Sequence, residues 1–288
     1  MRKFHIDRTS IRRTALLTGS AACLLIVLSM WTASTKPKLI ALTFDDGPSS
    51  EYTPRVVKIL DQEKVKATFF MVGRWLPGKR VLIRQMVRDG QQIGNHTFDH
   101  TKLVGLSATQ IQTEISKANA AIDDYAGLTG ETLLVRPPYG ARDRSMLSAI
   151  NAPVILWTLD PAAGNQVPGG EMAKFVLSRA KDGDIILLHD TTQYNLEAVK
   201  PIIKGLKARN FTFVTVRELF RRKGVTPQNS VAYKRITGRA GQRRYEERPL
   251  VKPSNHSFAP QKTGSVKKTR QPASGHDSSD LSAQCVAA

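Results

Sequence analysis

From residue 38 to about residue 220, short apolar runs alternate with stretches in which apolar residues recur every three or four positions. The runs at 39–42, 67–72, 133–135, 154–157, 185–188 and 211–214 are too short for helices and apolar at successive positions, which predicts strands buried on both faces. Residues 92–94 add a further short strand. Between them, 54–64, 80–89 (stopped by Gly90), 144–150, 170–180 and 196–209 carry helical periodicity. Ser107 is placed to cap a long helix reaching about residue 125. Repeated βα units predict a parallel sheet with helices outside. About seven strands favour a closed or nearly closed α/β barrel, although periodicity alone leaves an open sheet available.

The two ends of the chain break this pattern. Residues 1–14 hold Arg2, Lys3, Arg8, Arg12 and Arg13 against Asp7, and residues 15–33 then run without a charge. That length is close to the ~20 residues of one bilayer crossing, and the positive flank places the remainder of the chain outside the cytoplasm. A cleaved export signal and an uncleaved anchor both satisfy it. After Phe220 basic clusters recur (Arg221-Arg222-Lys223, Arg243-Arg244, Lys267-Lys268) among Ser, Gln, Pro and Gly, which reads as a solvated, disordered tail. The expected division is therefore 1–36 export signal or anchor, 37–222 folded α/β domain, and 223–288 basic, solvated tail.

The formal net charge of +19 over 288 residues changes the picture only modestly. No helical or aromatic-interleaved basic pattern accompanies it, so nucleic acid is not the expected partner. Attraction of the tail to acidic envelope polymers or lipid head groups is the simpler expectation for an exported chain. Cys23 and Cys285 allow neither a disulfide framework nor a cysteine metal site.

Candidate chemistry gathers where strands end. The first strand runs into Asp45-Asp46-Gly47-Pro48. A chain that turns there can aim both carboxylates into one cavity, where their repulsion would raise one pKa and a cation would relieve it. A solvated Asp-Asp-Gly turn is the plainer alternative. His96 and His100 follow the third strand at a spacing that places two ligands on one side of a helical turn. Two histidines and one carboxylate leave coordination positions open, as a catalytic divalent metal requires; surface histidines are the alternative. Of six histidines, only these two and His189 lie between residues 38 and 220. His189 ends the strand at 185–188, where it is a candidate general acid. Arg136-Pro137-Pro138-Tyr139-Gly140 makes a stiff turn in which Arg136 could grip a carboxylate and the Tyr139 N–H could face an oxyanion. A rigid turn with a surface arginine would look the same.

In order, Thr43-Phe44-Asp45-Asp46-Gly47, His96-Thr97-Phe98-Asp99-His100, Arg136-Pro137-Pro138-Tyr139 and Leu187-Leu188-His189 resemble the successive signatures of the polysaccharide deacetylases, carbohydrate esterase family 4 with its NodB-homology domain. The resemblance covers roughly residues 38–220. It implies a distorted (β/α) barrel and metal-dependent removal of acetyl groups from N-acetylated sugars, in some members from O-acetylated ones. It implies Asp46, His96 and His100 as ligands of a divalent metal, usually zinc, Asp45 as base for the attacking water, and His189 as acid to the departing amine. Arg136 would orient Asp45, the Tyr139 N–H would stabilise the oxyanion, and Leu187, with Pro138 and Trp157, would line the acetyl pocket. One signature departs. The family usually carries Asp-x-x-Asp-Trp, whereas here Asp160 is followed by Ala163 and Gly164 at the places of the second aspartate and the tryptophan. Loss of that carboxylate would loosen His189 and lower its pKa, with Asp160 or Asp190 as candidate replacements. The expected substrate is a GlcNAc-containing polymer such as peptidoglycan or a chitin-like chain. O-deacetylation and a catalytically weak carbohydrate-binding module are the competing readings.

Overall fold

The structure, a computed structural model, describes residues 37–131 and 133–238. The apolar run at 15–33 and the chain beyond residue 238 lie outside the described residues, and so do the expectations that fall on them. Among the described residues no helix is long and apolar enough to cross a membrane.

The order of elements is β1 (Lys38–Asp45), α1 (Tyr52–Gln62), β2 (Thr68–Met71), α2 (Arg80–Arg88), β3 (Gln92–Asn95), α3 (Ala108–Ala126), α4 (Arg144–Ile150), β4 (Val154–Ile155), α5 (Gly169–Arg179), β5 (Ile185–His189), α6 (Gln193–Ala208), β6 (Phe211–Phe213), α7 (Val216–Arg222) and β7 (Ala232–Tyr233). Every strand pairing is parallel. β1 lies at the centre, between β5 on one side and β2 and β6 on the other. β2 continues to β3, and β4 pairs with β7. Single-residue bridges carry the circuit onward, from Asn95 to Val135, from Val135 to Val154, and from Leu159 to Ile186 of β5. The result is a barrel-like α/β fold.

Burial follows the two-residue period of β1. Ile40, Leu42 and Phe44 face the helices, packing with Val56, Leu60, Ile202 and Leu206; Phe44 stacks on Phe69 at 4.9 Å between ring centroids. Leu39 and Ala41 face the other way, joining Phe70, Leu134, Ile155 and Ile185. Thr43 and Asp45 share that inner side. The inner space is thus apolar near the strand N-termini and polar near their C-termini.

Two expectations change. Residues 133–135 form no strand, because Val135 makes only the two bridges above and the chain turns at once into Pro137-Pro138. The folded region also does not stop at residue 222. The side chains of Leu219 and Phe220 on α7, then Val225, Tyr233 and Ile236, fill the bottom of the inner space, and Ile236 N–H donates to Gly183 O at 2.9 Å. The basic, polar composition after residue 220 hides these few apolar anchors.

Candidate metal centre and active site

Asp45 is the last residue of β1 and points inward. Asp46 turns with φ 70°, and this left-handed step brings the next carboxylate into the same cavity instead of the opposite face. Asp45 is almost wholly buried and Asp46 half-exposed.

His96 and His100 come from the loop after β3, not from a helical turn as their spacing suggested. Thr97 and His100 adopt φ 67° and 59°, folding the loop so that both rings face Asp46. Glu114 of α3 holds this loop by accepting the Phe98 and Asp99 N–H groups at 3.1 and 3.0 Å. The Asn95 side chain accepts the Thr97 N–H at 2.7 Å and donates to Ile115 O and Asn119. Asp46 Oδ1 lies 3.3 Å from His96 Nε2 and 3.1 Å from His100 Nε2. The ligand atoms of all three residues lie within 4.8 Å of one another.

The donor set fits a divalent cation. His96 Nδ1 sits 2.6 Å from Arg136 O, a carbonyl that can only accept, so Nδ1 carries the proton. In the neutral ring Nε2 then presents a lone pair toward a carboxylate oxygen, an arrangement that demands a proton or a cation between them. The electrostatics agree. Burial works against charge at Asp46, yet His100 and His96 hold its carboxyl far below the usual range. Burial likewise works against His96, and Asp45 and Asp46 outweigh it, raising its pKa. The expected rise in a carboxylate pKa is therefore reversed at Asp46, because imidazoles surround it.

Arg136 is fully buried behind Asp45. Its Nη1 donates to Asp45 Oδ1 at 2.7 Å and to Thr43 Oγ1 at 2.8 Å; Nε and Nη2 donate to Ile155 O and Leu156 O at 3.1 and 3.2 Å. Thr43 in turn donates to Ile186 O at 2.6 Å. The guanidinium lies over the rings of Phe70 (4.1 Å) and Trp157 (5.6 Å). Burial lowers its pKa, opposed by Asp45. Asp45 Oδ2 remains 3.7 Å from His96 Nε2, facing the same centre.

Tyr139 projects into solvent, 69% exposed, from a turn where its own φ is 62°. Its N–H finds no acceptor among the described residues, and its ring meets His100 edge-on at 5.0 Å. Pro138 and Leu187 are buried and Trp157 is half-buried. His189 Nε2 lies 3.8 Å from Asp46 Oδ2. Of the expected site residues, Asp45, Asp46, His96, His100, Arg136, Tyr139 and His189 meet at this end of the barrel, with Trp157 against Arg136 and Leu187 beside Thr43.

Neither proposed substitute for the missing aspartate reaches the His189 ring. Asp160 Oδ1 accepts the Ala162 and Ala163 N–H groups at 3.3 and 2.7 Å. Asp190 accepts the Thr53 hydroxyl and lies against Gly47, where an added Cβ would meet its oxygens at 2.4 Å. Burial raises Asp190 to about 7.

Sequence reasoning missed several contributors. Thr43 lies two residues before Asp45, on the same face of the strand, and the two-residue period could have found it. Asn95 and Glu114 brace the histidine loop without any local motif. Beside the site, a cleft of about 500 Å³ is lined by Asp46, Pro48, Val72, Trp75, Lys79 and His100, and nothing in the sequence pattern pointed to Trp75 or Lys79.

A family model described as polysaccharide deacetylase matches residues 32–153. The peptidoglycan-N-acetylglucosamine deacetylase PgdA of Listeria monocytogenes is 37% identical over 186 residues, 65% of this chain and 40% of that protein. The chain thus spans less than half the length of that relative. A peptidoglycan-N-acetylglucosamine deacetylase of Bacillus cereus is 36% identical over 202 residues, 67% of this chain and 93% of that one. Among solved structures, a family 4 acetyl xylan esterase from Clostridium thermocellum in complex with a cobalt ion superposes with a TM-score of 0.65 at 35% identity, covering 69% of this chain and 99% of that one.

Proposed function

This chain belongs to the polysaccharide deacetylase family, and from that premise we propose that it hydrolyses N-acetyl groups on a GlcNAc-containing polymer of the cell envelope, peptidoglycan first among them. The observation that carries this reading is the convergence of Asp46, His96 and His100 beside the buried Asp45–Arg136 pair. The names of the Listeria and Bacillus relatives support an amide bond and a peptidoglycan strand; the xylan esterase keeps the O-acetyl ester as the alternative.

In this reading Asp46, His96 and His100 hold a divalent cation, zinc by preference for two imidazoles and one carboxylate. The cation supplies Lewis acidity that polarises the acetyl carbonyl and acidifies water. Asp45, kept in one orientation by Arg136, takes the proton of the attacking water. The Tyr139 N–H faces the oxygen on which charge develops. Leu187, Pro138 and Trp157 wall the space for the acetyl methyl. His189 gives a proton to the departing amine as the C–N bond breaks, leaving acetate and the free amino sugar. The uncharged run at 15–33 supports export, with the segment either removed or kept as an anchor.

The test is acetate release from chitooligosaccharides and peptidoglycan, with and without chelator. Release that stops with chelator and with Asp46→Ala is the expected result; release that survives both would overturn the assignment. A second reading, a weakly catalytic carbohydrate-binding module, is favoured by the lack of a supporting carboxylate on the His189 ring beyond Asp46, which the deacetylase reading assigns to the cation. Ala163→Asp separates the two. Residue 163 sits at φ 46°, a conformation aspartate tolerates better than alanine, so the substitution restores the family carboxylate without backbone penalty. A chain that releases no acetate until Ala163→Asp is introduced is the binding module.

A further inference from the structure

The charge of the folded region is distributed in an unusual way. Residues 37–199 hold 18 Lys and Arg against 18 Asp and Glu, and so are neutral. Residues 200–238 hold ten Lys and Arg against Glu218 alone. The whole excess of the described region therefore lies in one short part of it.

Most of that part collects at the end of the barrel where β1 begins, opposite the Asp46 cleft, and Lys200 and Lys204 extend it along the flank of α6. Lys200, Lys204 and Lys207 form one exposed stripe on α6, opposite the buried Val199, Ile202, Ile203 and Leu206. Lys207 reaches the carbonyl of Glu63, just ahead of β2, and lies 3.8 Å from its carboxylate, and Arg209 reaches the carbonyl of Leu177 near the end of α5. α7 closes the bottom of the inner space through Leu219 and Phe220 and turns Arg221 and Arg222 outward, their side chains 73% and 42% exposed and sharing the one carboxylate of Glu218, so that a net positive charge remains. Lys223 joins Asp182, ahead of β5. The chain enters the fold here too: Lys38 opens β1 and its N–H donates to Asn210 O at 3.0 Å.

We propose that this basic face is a docking surface for an anionic lipid bilayer, and that it holds the folded domain upright on the membrane that retains residues 15–33, with the catalytic groove turned away. Docking of this kind requires that segment to remain as an anchor. Five residue steps separate residue 33 from Lys38, so the face lies at most about 18 Å from the end of the apolar run. That is an upper limit, and a tether this short lets the face come within one screening length of the headgroups, the range over which the surface potential of an anionic bilayer acts. A soluble polyanion would have no reason to favour the end from which the anchor emerges. Single-stranded nucleic acid would need stacking platforms, and the exposed aromatics Trp75, Tyr139 and Tyr194 all lie outside residues 200–238. β1 spans eight residues, so Asp45 sits about 23 Å further from the membrane than Lys38. The groove then addresses polymer strands standing off the bilayer.

The experiment uses the full chain with Cys23→Ser and Cys285→Ser, carrying one fluorophore at Thr226→Cys on the basic face or at Gln166→Cys in the loop after β4, and reconstituted in vesicles bearing an acceptor on their headgroups. Energy transfer from position 226 should be about two-fold higher in vesicles containing one-third phosphatidylglycerol than in pure phosphatidylcholine, and should fall to the neutral level at about 0.5 M salt. Position 166 should show little change. The combined variant Lys204→Gln, Lys207→Gln, Arg221→Gln, Arg222→Gln should abolish the difference while leaving acetate release from soluble oligomers unaltered, so failure here is distinct from failure of the deacetylase reading. Equal transfer in both vesicle types overturns the proposal, and the salt titration of the unsubstituted chain decides it should the variant not fold. It is equally overturned if the substitutions weaken only the binding of a soluble poly(glycerol phosphate), which would make an acidic polymer the partner.

Discussion

Arg136 does two jobs with one guanidinium. It neutralises Asp45 and ties β1 to the end of β4 through Thr43, Ile155 and Leu156. Lysine would keep the charge but not the planar fork, so most of these acceptors would lose their donor. Arg136→Lys should therefore lower kcat by about 10²-fold or more, with a smaller effect on KM, and lower stability by roughly 1–3 kcal/mol, as buried acceptors left without a donor do. Steady-state kinetics and denaturant unfolding read the two effects. Unchanged kcat would remove Arg136 from the positioning of Asp45. Its identity was legible from the Arg-Pro-Pro-Tyr turn, but its partners were not, because Thr43 and Ile155 meet it only through tertiary folding. Asp190 makes a pH-dependent prediction. Its folded pKa, about 7, lies above the unfolded value near 3.8, so the folded state binds the extra proton between them. Stability should fall as pH rises from about 4 to about 7 and level off above. Asp190→Asn, measured as metal-free protein, should gain stability relative to the parent between pH 5 and pH 8. A pH-independent difference would show that the carboxyl is not held protonated.

At the scale of elements, the strands were readable because burial on both faces leaves continuous apolar runs, and the long helix was readable from Ser107, which does form a reciprocal cap with Gln110. What pattern could not give was the path between elements. Val135 closes the circuit with single bridges, and the histidine loop gets its shape from two left-handed residues; neither leaves a periodic trace. Close packing between β2 and β3 is similarly silent. Gly94 lies against Phe70, where a Cβ would meet the ring at 2.6 Å and Leu134 O at 3.1 Å. Phe70 is the ring beneath Arg136. Gly94→Ala should cost about 1–3 kcal/mol by overpacking and also reduce turnover, because the displaced ring moves the guanidinium that orients Asp45. Thermal unfolding and kcat check it together. A loss of stability with full turnover would mean that the Phe70 shift is absorbed before it reaches the site.

The described part of the molecule is organised along the axis of β1, with an apolar plug at one end and the candidate metal centre at the other. The plug is the part composition concealed. Arg221, Arg222, Lys223, Lys234 and Arg235 among polar residues make 221–238 look like the start of a solvated tail, yet Val225, Tyr233 and Ile236 are buried and β7 pairs with β4. Burying side chains of this size contributes about 1.5–3 kcal/mol each, and a domain's net stability is only about 5–15 kcal/mol. Removing three of them consumes much of that margin. Their loss would also open the inner cluster beneath Phe70 and Leu134 to water, and leave Gly183 O without the Ile236 N–H. A chain ending at residue 222 should therefore unfold at markedly lower temperature than one ending at residue 238, or fail to accumulate as folded protein. Removing residues 239–288 alone should leave the melting temperature within a few degrees of the full chain, since the barrel core is complete by Ile236. Calorimetry on the three lengths decides the matter: equal melting temperatures for 222 and 238 would mean that α7 alone seals the barrel.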